Sequence, residues 1–204
     1  YIDTSYCISN LDQKHSLNIF EMELDEIKKI DCGSKYIDRF PNQIKIKEQK
    51  PTFEELEKKL ENYEGDLLFE IKCHPDYVNK NFPDYPTYAK IIVDETKDSP
   101  LLKNIIFMSF DWRILNEIYK INSNSKYIFL SQKIDFRKEL DFLTFKPFAI
   151  GLNHKIISKS IIDSAHIQNQ LVYAWTVNSV EIFKKLIEIN ADGIITDYPD
   201  KIKK

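Results

Sequence analysis

"DLLFEIKC", residues 66–73, sets an apolar run, Leu67, Leu68, Phe69 and Ile71, beside two opposite charges, Glu70 and Lys72. The run reads as a strand buried on both faces, the kind found in parallel sheets. Side chains alternate across a strand, so Glu70 and Lys72 project to one side and Ile71 to the other. Both charges fall at the carboxyl end, where ligand sites form in parallel β/α folds. A carboxylate beside an ammonium there reads either as a metal ligand next to a phosphate-binding cation or as an ion pair that ties off the strand.

Working outward, the rest of the chain alternates in the same way. "PTFEELEKKLENY" carries Thr52 as N-cap, with Glu55 three residues on completing a capping box. After the first strand come the loop "HPDYVNKNFPDYP", a helix in "TYAKIIVDETKD", strand "NIIFMSF" and helix "DWRILNEIYKIN". Strand "KYIFL" leads to helix "RKELDFLT", strand "PFAIGL" to helix "KIISKSIIDSAHIQNQ", strand "LVYAWTV" to helix "SVEIFKKLIEIN", and a last strand, "GIIT", runs into "DYPD". Six apolar strands with helices between them fit a doubly wound sheet or a (β/α)8 barrel. No G-x-G-x-x-G follows any strand, which removes the usual support for a nucleotide-binding sheet.

Residues 1–50 read differently, as a long connection with one short amphipathic helix around Leu24, Ile27 and Ile30, stopped by Gly33. At 204 residues and 43% hydrophobic content, the chain can bury one sizeable core, and a single domain over 1–204 is expected. No apolar run approaches the roughly 20 residues that span a bilayer. Net charge is -3 with Lys and Glu interleaved, so neither a nucleic-acid partner nor a membrane-binding stripe is expected, and a small-molecule partner is. Cys7, Cys32 and Cys73, an odd number at wide spacing, read as reduced thiols and lean towards a cytoplasmic protein.

Other residues are weighed by position. Trp175, near the end of its strand, is either core or an apolar wall for a small ligand. Asp111 reads as an N-cap and Asp197 as a cap of the following turn. Ser109 has no activating neighbour in sequence. His15, His74, His154 and His166 show no zinc spacing.

Taken in order, "PTFEELEKKL", "LLFEIK", "IIFMSFDWRIL", "VYAWTVNS" and "GIITDYPD", with "DCGSKYIDRFPNQ" upstream, resemble the blocks of the glycerophosphodiester phosphodiesterase family. The resemblance implies a (β/α)8 TIM barrel that hydrolyses glycerophosphodiesters to glycerol 3-phosphate and an alcohol with a divalent cation, Mg²⁺ or Ca²⁺. It implies Glu70 as a metal ligand, Lys72 as the catalytic, phosphate-contacting lysine, and Trp175 as a wall of the glycerol pocket. The family's H-R-G and H-D or H-E motifs, which belong to its first two strands, do not occur in the chain, and none of the chain's strands carries the E-x-D pair. The six strands match the family's third to eighth, so the barrel is expected to be N-terminally incomplete, with Tyr1 a mid-protein residue and residues 1–204 alone inactive. A non-catalytic phosphate-binding barrel and a related barrel phospholipase are the alternatives, and "YVNKNFPDYPTY" is the candidate lid.

Overall fold

The structure, a computed structural model, describes residues 5–9 and 17–202. Tyr1 and His15 lie outside the described residues. The chain divides into two compact units, Tyr1–Tyr63 with Pro75–Asp84, and Glu64–His74 with Tyr85–Lys204.

The first unit holds the short helix α1 (Leu24–Ile27) and helix α2 (Phe53–Lys59). Helix α2 starts as its sequence predicts. The Thr52 hydroxyl accepts from the Glu55 amide at 3.2 Å, and the Glu55 carboxylate accepts from the Thr52 amide at 2.8 Å. Helix α1 ends at Lys28, well before Gly33, so the expected glycine stop is corrected. Gly33 instead allows close approach, since a Cβ there would lie 2.1 Å from the Ile46 carbonyl oxygen. One Asp31 carboxylate oxygen gathers the amides of Gly33, Ser34 and Glu48. Together with the Ser34 side chain, the largest influence, these bonds hold the acid down to about 2.

Cys7 and Cys32 form a disulfide, which corrects the reading of reduced thiols. The two cysteines bury together with Ile30, and the cross-link closes a separation of 25 residues. Closing such a loop is worth about 3 kcal/mol in a unit with few buried side chains.

The second unit is built on strands β1 (Leu67–Glu70), β2 (Ile105–Ser109), β3 (Lys126–Ser131), β4 (Ala149–Asn153), β5 (Leu171–Trp175) and β6 (Gly193–Ile194). Between them run helices α3 (Tyr85–Thr96), α4 (Trp112–Ile121), α5 (Phe136–Leu140), α6 (Lys159–Ile167) and α7 (Val180–Glu188). Every strand pairs in parallel with the next, in the order β1-β2-β3-β4-β5-β6. A doubly wound sheet reverses its strand order at a switch point, and no reversal occurs here. With crossovers of one hand, such an order keeps the helices on one side of the sheet.

Alternation along the strands gives the two faces different jobs. Ile150, Leu152 and Val172 pack against Phe136 of α5 and Ile162 and Ala165 of α6, while Ala174 meets Leu186 of α7. The other face gathers Leu68, Ile106, Met108, Ile128, Leu130, Ala149, Tyr173 and Trp175. Among the described residues this second cluster includes none from a helix of the unit, and the candidate site lies on its face.

The αβ connections are short because two asparagines do the work of glycine. Asn169 and Asn190 adopt φ of 51° and 65° immediately after the caps of α6 and α7. Beyond them, Gln170 donates to the Ala165 carbonyl and Ala191 to the Leu186 carbonyl, completing Schellman turns that lead directly into β5 and β6. The expected helix over 155–170 is shorter than read: a 3-10 turn, His154–Ile156, is followed by α6, because Ile157 is extended and Ser158 caps from its side chain.

Buried Asn116 on α4 ties down the α5–β4 connection, donating to the Phe142 carbonyl at 2.8 Å and accepting from the Thr144 amide at 2.9 Å. Asn116→Ala orphans both groups and is expected to cost about 2 kcal/mol. Chemical denaturation should show this as a lower midpoint with an unchanged slope.

Candidate active site

Glu70 ends β1 opposite Met108, and the Ile71 amide still donates to the Met108 carbonyl at 2.8 Å, which carries the pairing one residue past the strand. Leu68 and Met108 both belong to this second face, so Glu70 and, two residues on, Lys72 project there too. The Lys72 ammonium donates to the Glu70 carboxylate at 2.6 Å. The Glu70 side chain is 27% exposed and that of Lys72 80%, so the acid sits in the mouth and the base stands over it in reach of solvent. The pair therefore stands at the strand ends, open to solvent.

Trp175 lies at the same end of β5, on the same face. Its indole N–H donates to the Gly151 carbonyl at 3.0 Å, which fixes the plane of the ring. Gly151 leaves the space: a Cβ there would lie 2.4 Å from Leu130 Cδ2 and 3.6 Å from Trp175 Cδ1. Phe110, just past β2, meets Trp175 edge-on with ring centroids 5.1 Å apart. In a flat sheet β2 and β5, three strands apart, would be roughly 14 Å from each other. The ring contact therefore bridges a concave face. Sequence reasoning missed Phe110, taking it for the plain end of a strand; the available signal was its place two residues beyond Met108, on the inward side.

The neighbouring groups are structural. Asp111 caps α4 as expected, accepting from the Arg113 amide at 3.0 Å, and it also takes the Tyr85 hydroxyl at 2.5 Å. Buried Ser109 donates to the Ile71 carbonyl at 2.8 Å and so serves the backbone. His154 Nδ1 lies 3.4 Å from the Trp175 carbonyl oxygen, and His166 pairs with Asp192 at 2.9 Å. Asp197 accepts from the Asn178 side chain at 2.8 Å, linking the end of β5 to the end of β6. In that turn Thr196 Oγ1 accepts from the Tyr198 amide.

Cys73 follows Lys72 but faces away from it, 3.9 Å from the Ser109 hydroxyl. Burial, reinforced by the Asp111 charge, pushes its thiol up to about 12. Native alkylation by iodoacetamide at pH 8 is therefore expected to run at least ~100-fold slower than for a free cysteine, and unfolding should release it.

The donor set bears on a cation as follows. Among the described residues no three His, Cys, Asp or Glu side chains group as a metal site. Mg²⁺ can be held by one or two carboxylates, with phosphate oxygens and water filling the shell. Glu70 fits that pattern as a single ligand. Ca²⁺, with more oxygens to satisfy, fits it less well.

Among known proteins, residues 9–201 match the glycerophosphoryl diester phosphodiesterase family. A candidate glycerophosphodiester phosphodiesterase of Bacillus subtilis, YhdW, is 27% identical over 192 residues, covering 90% of this chain and 71% of that protein. A glycerophosphodiester phosphodiesterase of Caldanaerobacter subterraneus is 22% identical over 89% of this chain and 70% of its own length. The fold superposes on a candidate glycerophosphoryl diester phosphodiesterase from Silicibacter pomeroyi with a TM-score of 0.78, covering 96% of this chain and 72% of that one at 22% identity. An Oleispira antarctica phosphodiesterase, solved in complex with the product sn-glycerol-3-phosphate, superposes with a TM-score of 0.74 at 20% identity, over 90% of this chain and 70% of that one. The six parallel strands, their unreversed order and the match along nearly the whole chain agree, and the chain belongs to the glycerophosphoryl diester phosphodiesterase family.

Proposed function

We propose that the protein hydrolyses glycerophosphodiesters to glycerol 3-phosphate and an alcohol, in lipid head-group metabolism, on a sheet that is part of a (β/α)8 barrel. The observation that carries this reading is the Glu70–Lys72 pair, set at the strand ends on the same concave face as the Phe110–Trp175 wall. The two halves suit the two halves of the substrate. Attack on a phosphodiester concentrates negative charge on the phosphoryl oxygens, and the Lys72 ammonium opposes that charge where it builds. The Trp175 face, held by Gly151 and braced by Phe110, gives the glycerol carbons an apolar surface and keeps water from one side of them.

Glu70 would hold a divalent cation, Mg²⁺ in preference to Ca²⁺, which when bound adds Lewis-acid stabilisation of the phosphoryl oxygens. Its contact with Lys72 restrains the lysine's flexible stem and so lowers the entropy cost of meeting the phosphate. The Cys7–Cys32 disulfide favours an oxidising compartment over a cytoplasmic one. Among the described residues no helix is long and apolar enough to cross a membrane.

A phosphate-binding barrel without turnover is the second reading, favoured by the lack of any three-member acid, His and Cys cluster among the described residues. Release of glycerol 3-phosphate from glycerophosphocholine, assayed with a barrel that carries the family's first two strand blocks, separates the two. The hydrolase reading expects release that EDTA abolishes and Mg²⁺ restores. Glycerol 3-phosphate binding with no release under any cation would establish the binding reading instead.

A further inference from the structure

The stretch "SKYIDRFPNQIKIKEQK", residues 34–50, belongs to the first unit and plays no part in the candidate site. It carries five basic and two acidic side chains, net +3, in a chain whose total is -3, so the remainder is at -6. Residues 41–49 are all exposed. Among them are Ile44 at 80% and Ile46 at 56%, with Tyr36 at 52% just before. Ile46 lies between two lysines and Ile44 just before them, and isoleucines this exposed are costly to solvate unless something covers them.

The stretch is not a loose tail. Its return leg lies along residues 31–33: the Cys32 amide donates to the Glu48 carbonyl at 2.7 Å, the Ile46 amide to the Gly33 carbonyl at 3.3 Å, and the Glu48 amide to the Asp31 carboxylate at 3.3 Å. The disulfide at Cys32 anchors that base to Cys7. Ile44 and Ile46 alternate with Lys45 and Lys47 along this leg. Lys45 is held over the Tyr36 ring, 4.7 Å from its centroid, and Arg39 over the Phe40 ring at 5.1 Å. Cations laid on aromatic rings beside exposed aliphatics match the chemistry of a bilayer interface, where apolar tips enter the acyl boundary and basic heads reach back to phosphates.

We propose that residues 34–50 dock the protein on an anionic lipid surface. The occupant follows from charge: a +3 island on an otherwise acidic chain is drawn to a negative plane at short range while the rest of the molecule is held off. Its two isoleucines add the apolar contact that a polyanion such as nucleic acid would leave unused. Each basic side chain near such a surface is worth roughly five-fold in partitioning. The inference stands independently of the proposed hydrolysis.

Co-sedimentation of the full chain with vesicles of phosphatidylcholine containing about one-third phosphatidylserine tests it. The wild type is expected in the pellet with these vesicles, in the supernatant with pure phosphatidylcholine, and released by high salt. Lys45→Glu combined with Lys47→Glu should lower partitioning at least ~10-fold, and Ile44→Ser with Ile46→Ser several-fold. Both pairs are exposed, and thermal melts should match the wild type. A wild type that stays in the supernatant with the anionic vesicles, variants that bind as the wild type does, or tighter capture by duplex DNA than by the vesicles would each overturn the proposal.

Discussion

Lys72→Ala is expected to lower kcat/KM for glycerophosphocholine by roughly 10²- to 10³-fold, the scale of losing one charged donor aimed at a developing oxyanion. Stability should hardly move. The Lys72 side chain is 80% exposed and it pairs with a half-buried acid two residues away, so the folded state loses little when the ammonium goes. The loss should appear mainly in kcat, since the interaction strengthens as phosphoryl charge accumulates. Lys72→Arg keeps the charge but replaces a compact ammonium with a broader planar fork, and is expected to recover only part of the rate. Steady-state kinetics with a thermal melt on each variant checks this, and a Lys72→Ala enzyme with wild-type kcat/KM would remove the residue from the chemistry.

Glu70→Gln carries the second large effect. The substitution keeps the shape and can still accept from Lys72, while removing the negative charge that a hard dication needs. Activity at limiting Mg²⁺ is expected to fall about 100-fold, and the Mg²⁺ concentration for half-maximal rate to rise about 10- to 100-fold. Because phosphate oxygens and water would fill most of the shell, saturating Mg²⁺ should return part of the rate. A Mg²⁺ titration of both enzymes reads this directly. Superimposable curves would assign Glu70 to the ion pair alone.

These expectations rest on features of unequal visibility in the sequence. Glu70 and Lys72 stood out because charge is costly inside a buried parallel strand and a period of two places both on one side; the register with β2 sets Glu70 opposite Met108. The alternation of strands and helices was equally plain, since strands covered on both faces have few polar positions. Asp111 and Thr52 could be read as caps because capping is a local interaction over three residues. Phe110 could not be read, because its contact with Trp175 spans 65 residues and depends on a concave sheet that no local pattern encodes. The Cys7–Cys32 bond was missed for the same reason: the two are separated by 25 positions with no spacing motif, and the bridge between Ile8 and Asp31 sets them side by side. Helix ends were overextended where asparagine, not glycine, takes the left-handed position after α6 and α7.

Calorimetric titration of glycerol 3-phosphate into the wild type, Lys72→Ala, Trp175→Ala and Trp175→Phe is the most direct measure of whether one face grips both ends of the ligand. Lys72→Ala is expected to weaken binding about 10- to 100-fold, the worth of a charge-assisted hydrogen bond to phosphate. Trp175→Ala should weaken it about 10-fold, with Trp175→Phe, which restores an aromatic face, recovering much of the loss. Wild-type affinity in both Lys72→Ala and Trp175→Ala would mean that the ligand binds elsewhere and that the face formed by Glu70, Lys72, Phe110 and Trp175 is not the site.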